Sequence, residues 1–293
     1  MIDADGAWLK PTGRALGGEA RIVARAPLEG GYSSPGIERI ELDVAGRPVT
    51  VVRKGADSAE VAAMRAIAVV PGVERPRLLA AGRNWLVMPF LDATPLTSGD
   101  PVPDDLWETL ARVHAHWLRN RPRGLPVVDA RWWAHLCDYT LIAVRGGIAR
   151  TGEAAYAEAE ARLLEWRTDE RITAALAVLP RTLTHSDPHL GNVLVDDAGA
   201  VLIDWGSSRI APAGVDLAVL GAQGNAVPAP YEELFARLTG GVDRLRAIEE
   251  PWADVHVNVQ YLTFAADHLG AGRVAAMVAT AAEALRRLDA ALC

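Results

Sequence analysis

Several polar residues near position 190 are spaced in a way that could support a chemical reaction. Residues 182–206 have the sequence TLTHSDPHLGNVLVDDAGAVLIDWG. Two short apolar runs flank the segment DDAG, which is a typical hairpin turn. Asp187 and Asn192 come just before this hairpin and Asp204 comes just after it. A closed hairpin would therefore bring an acid, an amide and a second acid into one small volume.

This set of groups suits phosphoryl transfer. The reaction needs one carboxylate to orient a hydroxyl nucleophile, and it needs hard oxygen ligands to hold magnesium on the phosphates. Asp187 could be the carboxylate that orients the hydroxyl. Asn192 and Asp204 could then be the metal ligands.

Two other interpretations of the segment are considered. Its acids and amide could simply cap and turn the backbone of a polar hairpin, as such residues commonly do. Alternatively His185, Asp187 and His189, which alternate as on one face of a strand, could bind the metal of a hydrolase. Pro188 argues against a paired central strand there. The hydrolase interpretation also gives the amide and the second acid no role.

The motif HSDPHLGN at residues 185–192, followed by IDWG at residues 203–206, resembles a known family. It is similar to the catalytic loop and metal-binding segment of aminoglycoside phosphotransferases and their choline-kinase-like relatives, which share the protein-kinase fold. The resemblance implies Asp187 as the catalytic residue and Mg²⁺ on Asn192 and Asp204. It also implies ATP or GTP as the co-substrate.

Three further positions follow from the same resemblance. Ser186 stands where the family usually carries glycine. His185 and Asp216 would support the loop, Asp216 by bracing it through backbone hydrogen bonds from a short Asp-Leu-Ala stretch. Asp216 could also be an ordinary helix N-cap.

The N-terminal part of the sequence predicts strands at residues 21–28, 37–44 and 49–54. Between the first two lies a glycine- and serine-rich stretch. Its backbone N–H groups and hydroxyls could cover the phosphates of a nucleotide. Its place ahead of the catalytic segment favours that role over a plain turn. The candidate nucleotide-binding residues here are Gly30, Gly31, Ser33 and Ser34.

A basic pair ends the third predicted strand. In the kinase resemblance, a basic side chain at this point binds the nucleotide phosphates and pairs with a helix glutamate, for which Glu60 is the match. Arg53 and Lys54 point to opposite faces of the strand, so only one of them can do this. We favour Lys54 because a compact ammonium suits a phosphate, and Arg53 stays as the alternative.

Two further strands, at residues 77–82 and 85–91, would complete a small five-stranded lobe. The resemblance implies that the connector holding Met88 and Phe90 binds the adenine edge through its backbone. We therefore expect an α+β, bilobal, protein-kinase-like fold. Residues 1–90 would form the nucleotide-binding lobe and residues 91–293 a larger, mainly helical lobe with the catalytic loop, metal site and substrate cleft.

The larger lobe is predicted from helical periodicity. His114 and His116 are expected to be packed or surface residues rather than ligands. Pro251 suits the first turn of a helix. Most of the aromatic residues are expected in the core. The predicted helices span residues 104–120, 131–144, 153–166, 231–238, 251–269 and 273–292.

The composition limits the classes of protein to consider. A chain of 293 residues with 50% hydrophobic content can bury a substantial core. Two cysteines make no disulfide framework, and the N-terminus has no signal-peptide pattern, so we expect a cytoplasmic protein. No apolar run approaches transmembrane length, so no membrane association is expected. The net charge of -7 disfavours a nucleic-acid partner.

The sequence therefore predicts a kinase that moves the γ-phosphate of a nucleoside triphosphate to a hydroxyl of a small molecule. The resemblance implies an antibiotic of aminoglycoside, peptide or nucleoside type as the acceptor. A sugar, a nucleoside or a choline-like alcohol is the metabolic alternative, and an inactive kinase-like binding module is a further one. The acidic residues Glu249, Glu250, Asp254 and Asp267 could recognise a cationic acceptor or form a solvated face. The oligomeric state stays open.

Overall fold

An antiparallel sheet organises the N-terminal part of the chain. The structure is a computed structural model that describes residues 5–28 and 36–293. The five strands of the sheet lie in the order β1-β2-β3-β5-β4. They are β1 (Ala20–Pro27), β2 (Glu38–Val44), β3 (Arg47–Gly55), β4 (Ala80–Ala81) and β5 (Trp85–Pro89).

Two helices pack with this sheet. Helix α2 (Ser58–Ile67) begins where the Asp57 side chain accepts a hydrogen bond of 2.8 Å from the Glu60 amide, which satisfies one free N–H of the first turn. Helix α1 (Gly6–Ala15) precedes the sheet and was not predicted. Its Trp8 side chain is buried in the cluster that β1, β2, β3 and β5 share.

Helices make up most of the chain after β5. The helices are α3 (Asp104–His116), α4 (Ala130–Thr151), α5 (Ala154–Trp166), α6 (Glu170–Val178), α7 (Gly214–Gly221), α8 (Ala229–Thr239), α9 (Arg246–Phe264) and α10 (Ala271–Leu292). The largest apolar cluster of the described residues joins α4, α5, α6, α9 and α10. The expected α+β arrangement of an antiparallel sheet and a larger helical lobe is confirmed.

Short strands position the polar segment at residues 182–206. Strand β6 (Thr94–Pro95) pairs with β8 (Val193–Asp196), and β8 pairs with β9 (Gly199–Leu202) as the predicted hairpin. Strand β7 (Thr182–Thr184) pairs with β10 (Arg209–Ala211). Asp196 lies opposite Gly199, whose φ of 108° is one that glycine adopts without a Cβ clash. The segment is thus anchored by backbone pairing on both sides.

Several predicted boundaries differ from the observed ones. The strand expected at residues 77–82 is reduced to Ala80–Ala81, because only that pair joins the β5 ladder. The helix expected to reach residue 120 ends at His116. Pro251 lies inside α9, which begins five positions earlier at Arg246, so the prediction for its first turn was wrong.

The described chain holds no helix that is both long and apolar enough to cross a membrane.

Candidate active site

A buried charge cluster lies between the sheet and the hairpin. The Nζ atom of Lys54 on β3 is 2.5 Å from Oε1 of Glu60 on α2 and 2.9 Å from Oδ1 of Asp204, which follows β9. The Lys54 and Glu60 side chains are each 6% exposed, whereas that of Asp204 is 37% exposed. One ammonium therefore joins the N-terminal sheet to the segment after the hairpin.

The charges in this cluster support one another. Burial alone would lower the pKa of Lys54, but Glu60 and Asp204 outweigh it and raise this pKa above its usual value. Burial would raise the pKa of Asp204, and Lys54 instead brings it below the usual range. For Glu60, burial is the larger effect, and its pKa is raised although Lys54 opposes the change. Lys54 and Asp204 are thus held charged.

Arg53 faces away from this cluster. Its Nη1 donates to Oε2 of Glu38 on the neighbouring strand β2 at 2.9 Å. Its guanidinium carbon lies 5.8 Å from the centroid of the Trp8 ring. Successive side chains of a strand point to opposite faces, so Arg53 and Lys54 contact different partners. Lys54 lies in the charge cluster and Arg53 does not.

The loop at residues 185–192 holds its shape through the backbone of Ser186 and the side chain of Asn192. Ser186 has a φ of 68°, in the left-handed region where most residues with a Cβ are strained. Its hydroxyl lies 2.7 Å from the hydroxyl of Thr184. The Asn192 amide nitrogen donates to the Asp187 carbonyl oxygen at 3.0 Å. Asp187 and Asn192 therefore lie together at the start of the hairpin.

The buried carboxylate of Asp216 braces this loop. Its Oδ2 accepts from the His185 amide at 2.8 Å, and its Oδ1 accepts from the Ser186 amide at 2.6 Å. Nε2 of the buried His114 lies 3.0 Å from Oδ2. The helix N-cap is Ala213, so Asp216 does not cap α7 and that alternative was wrong.

The His185 ring is fully engaged by protein atoms. Its Nε2 donates to the Ile203 carbonyl oxygen at 2.8 Å, so its Nδ1 is the nitrogen that accepts from the Asp187 amide at 3.2 Å. Burial lowers the pKa of His185, which keeps the ring neutral. Neither nitrogen is left to bind a metal as the hydrolase interpretation required. No group of three histidine, cysteine or acidic side chains in the described ranges could hold a metal ion.

Two oxygen donors do fit a magnesium ion. The Asn192 amide nitrogen is used by Asp187, so its Oδ1 is the atom left to coordinate a cation. Asp204 gives Oδ1 to Lys54 and is partly exposed, which leaves carboxylate oxygen for a ligand. Magnesium usually takes one or two protein oxygens and completes its shell with phosphate and water.

The other candidate nucleotide residues lie around β3 and β5. Met88 is opposite Val52 in the β3–β5 ladder. The Phe90 amide donates to the Thr50 carbonyl at 3.0 Å, so this N–H is not free for a base. The Arg39 guanidinium lies 5.0 Å from the centroid of the Phe90 ring. Gly30, Gly31, Ser33 and Ser34 lie outside the described residues.

Three residues near Asp187 were not singled out from the sequence as functional. The Tyr261 hydroxyl on α9 donates to Asp187 Oδ1, and Gln260 Nε2 donates to the Ser186 carbonyl at 2.8 Å. Arg209 donates from Nη1 to Gln260 Oε1 at 3.2 Å. Burial lowers the pKa of Arg209 to about 10, so it stays charged at neutral pH. No spacing motif links α9 to the loop.

The acidic residues near the C-terminus do not form a free cation site. Glu250, Asp254 and Asp267 each pair with an arginine. Glu249 is buried, accepts from the Gly214 amide at 3.1 Å, and lies 3.6 Å from Arg244 Nη1. Glu249 therefore does not belong to a solvated acidic face. With Glu250 and Asp254 it lines a cavity of about 470 Å³ between α7, α9 and α10, which Asp187 does not line.

Three solved structures share this fold. A spectinomycin phosphotransferase solved with ADP and spectinomycin has a TM-score of 0.53 and 15% identity over 92% of this chain and 93% of its own. A protein assigned as a fructosamine-3-kinase from Thermobifida fusca has a TM-score of 0.59 and 18% identity over 95% and 98%. A choline kinase from Cryptosporidium parvum has a TM-score of 0.57 and 12% identity over 92% and 88%. At these low sequence identities, the similarity shows a shared fold and nothing about the substrate.

Comparison of sequences identifies the family of the chain, whereas the solved structures show only its fold. No curated protein gave a significant match. A family profile described as the phosphotransferase enzyme family (APH) matches residues 26–248, which include the loop at residues 185–192, the hairpin and most of the sheet. The chain belongs to this phosphotransferase family.

Proposed function

We propose that this phosphotransferase moves the γ-phosphate of ATP or GTP to a hydroxyl of a small molecule, with Asp187 as the residue that orients and deprotonates that hydroxyl. The observation that carries the proposal is the Lys54 bridge between Glu60 and Asp204. This bridge holds the sheet and the segment after the hairpin together around the charges of Lys54 and Asp204. A buried ammonium and a partly exposed carboxylate side by side suit a polyphosphate and its counter-ion.

The reaction assigns one step to each group. The acceptor O–H gives its proton to Asp187 as the acceptor oxygen forms a bond to the γ-phosphorus. The bond from that phosphorus to the β–γ bridging oxygen breaks, and the nucleoside diphosphate leaves. Lys54 neutralises phosphate oxygens, and Asp216 keeps the loop backbone in place through the His185 and Ser186 amides.

Asn192 and Asp204 are the residues that would hold magnesium. When bound, the ion supplies charge neutralisation on the phosphate oxygens. Asn192 also fixes the Asp187 backbone through its amide nitrogen, so it would link the metal site to the loop.

The acceptor is proposed to be an antibiotic, and the protein would then confer resistance. Phosphorylation of spectinomycin by a protein of the same fold supports this acceptor class. Arg209 is linked to the loop through Gln260, and Glu249, Glu250, Asp254 and Asp267 each lie beside an arginine. These charges favour an acceptor with few positive groups, such as a nucleoside or peptide antibiotic, over a polycationic aminoglycoside.

A metabolic acceptor is the second candidate. A choline kinase and a protein assigned as a fructosamine-3-kinase share the fold, so alcohols and sugars also fit the scaffold.

Resistance measurements distinguish the two candidates. The gene is expressed in a sensitive bacterium, and inhibitory concentrations are compared with those of an Asp187→Asn control for aminoglycoside, peptide and nucleoside antibiotics. Protection that needs Asp187, together with a mass gain of one phosphate on the drug, supports the antibiotic acceptor. An absence of protection, with efficient phosphorylation of a sugar, nucleoside or choline-like alcohol in vitro, assigns the protein to metabolism.

A further inference from the structure

Helix α9 contacts the catalytic carboxylate directly. The Tyr261 hydroxyl donates a hydrogen bond to Oδ1 of Asp187. The two residues are 74 positions apart, so the contact exists only because α9 packs against the loop. Burial and the neighbouring Asp187 both raise the pKa of Tyr261, which therefore keeps its proton and can only donate to the carboxylate.

The adjacent residue of α9 holds the same loop. Gln260 Nε2 donates to the carbonyl of Ser186, the residue with the left-handed backbone, at 2.8 Å. Gln260 is itself held by Arg209, whose guanidinium carbon lies 4.7 Å from the centroid of the Trp132 ring. The turn of α9 that carries Tyr261 is therefore held in place by the hydrogen bonds of the adjacent Gln260.

The contact leaves part of the Asp187 carboxylate open. A carboxylate has two oxygens that can each accept hydrogen bonds. Within the described ranges, Oδ1 accepts from Tyr261 and no hydrogen bond to Oδ2 is found. Tyr261 therefore fixes one oxygen, and the second can face an acceptor hydroxyl.

We propose that Tyr261 is the positioning residue that sets the orientation of Asp187, so that Oδ2 receives the acceptor proton. This inference rests on the proposed function. A fixed carboxylate loses less entropy on reaching the transition state than a freely rotating one. Tyr261 also lies beyond residues 26–248, so this support comes from the part of the chain outside the family match.

A spectroscopic experiment tests the contact without any turnover. Tyrosines are labelled with ¹³C at Cζ, and the Tyr261 resonance is assigned by its loss in Tyr261→Phe. The resonance is expected to move in Asp187→Asn, because the charged acceptor of the hydroxyl becomes neutral. The resonance of Tyr139, which is 57% exposed on α4, should stay in place. An unmoved Tyr261 resonance would overturn the proposal.

A double-mutant cycle tests the positioning role. Hydrogen bonds to charged groups contribute enough that Tyr261→Phe should lower kcat about tenfold or more, with KM for the nucleotide unchanged. The same substitution made in an Asp187→Asn background should have little further effect, because Tyr261 acts through Asp187. Tyr139→Phe is the matched control and should leave both constants unchanged.

The outcomes separate this inference from the proposed function. An equal fold-loss from Tyr261→Phe in both backgrounds, or no loss in either, would show that Tyr261 does not act through Asp187. Lack of nucleotide turnover with any acceptor would instead refute the proposed function. The resonance experiment would still decide whether Tyr261 is bonded to Asp187 in solution.

Discussion

At the scale of single residues, the neighbours Lys54 and Arg53 have very different surroundings. Lys54 is the buried counter-charge of Glu60 and Asp204, whereas Arg53 is 30% exposed and pairs with Glu38. Breaking a buried pair strands a charge, which costs about 3–5 kcal/mol, whereas exposed pairs contribute about 1 kcal/mol or less. Lys54→Ala should therefore destabilise the protein much more than Arg53→Ala and raise the nucleotide KM more.

Denaturant midpoints and nucleotide KM values for the two variants check this ranking. Equal losses of stability would contradict the ranking by burial, and a larger KM increase for Arg53→Ala would transfer the phosphate-binding role to Arg53.

Ser186 balances a backbone cost against a side-chain bond. Its left-handed φ of 68° costs about 1–2 kcal/mol for a residue with a Cβ, and its hydroxyl bonds to Thr184. Ser186→Gly removes both effects, whereas Ser186→Ala loses the bond and keeps the strain. We expect Ser186→Ala to be less stable than Ser186→Gly by about 1 kcal/mol in urea unfolding. Equal midpoints for the two variants would contradict the strain assignment.

At the scale of helices and strands, local signals predicted much of the fold. The hairpin turn, the strands β1 to β3 and the helix α2 follow from short periodic runs and caps. Helix α1 was missed because Pro11 and Gly13 interrupt its pattern, and its stability comes from burying Trp8 against the sheet. Pro251 misled the prediction of α9, because packing on α10 extends that helix past its proline.

Two adjacent glycines in α4 give a matched test of packing. A Cβ on Gly147 would lie 2.5 Å from ring atoms of the buried Tyr156, whereas one on Gly146 would meet only the far end of the Arg150 side chain, at 3.0 Å. Gly147→Ala should therefore cost about 1–3 kcal/mol by overpacking the α4–α5 contact. Gly146→Ala should gain about 0.5–1 kcal/mol from helix propensity. Thermal unfolding of both variants measures this difference, and a Gly147→Ala variant as stable as Gly146→Ala would refute the packing account.

The candidate site was predictable where a short motif or the family resemblance covers its residues. Asp187, Asn192 and Asp204 were expected to meet across one hairpin, and their magnesium and catalytic roles stay predictions. Gln260 and Tyr261 could not be foreseen, because their contacts with the loop depend on how α9 packs after the chain has folded.

At the scale of the whole molecule, a buried acid makes stability depend on pH. Burial, only partly offset by Arg244, raises the pKa of Glu249 to about 7 from its usual 4.5. The folded protein therefore favours the protonated form of Glu249. The stability that this protonation contributes is fully present below about pH 4.5 and is lost as the pH rises through 7. The shift corresponds to about 3 kcal/mol.

The thermal midpoint of the wild type should therefore fall relative to Glu249→Gln between pH 5 and about 8. Glu250→Gln, which alters an exposed carboxylate paired with Arg246, is the control and should follow the wild type. Parallel pH curves for the wild type and Glu249→Gln would show that Glu249 is not the titrating group.

The proposed reaction involves both lobes, because it requires nucleotide held at Lys54 and Asp204 and an acceptor oriented by Asp187. The most direct measurement follows labelled γ-phosphate from magnesium-ATP or magnesium-GTP to an acceptor that gains one phosphate, for the wild type and Asp187→Asn. We expect a singly phosphorylated acceptor from the wild type. Asp187→Asn should be about 10²–10⁴-fold slower with unchanged nucleotide affinity. Transfer by Asp187→Asn at the wild-type rate would contradict the role proposed for Asp187.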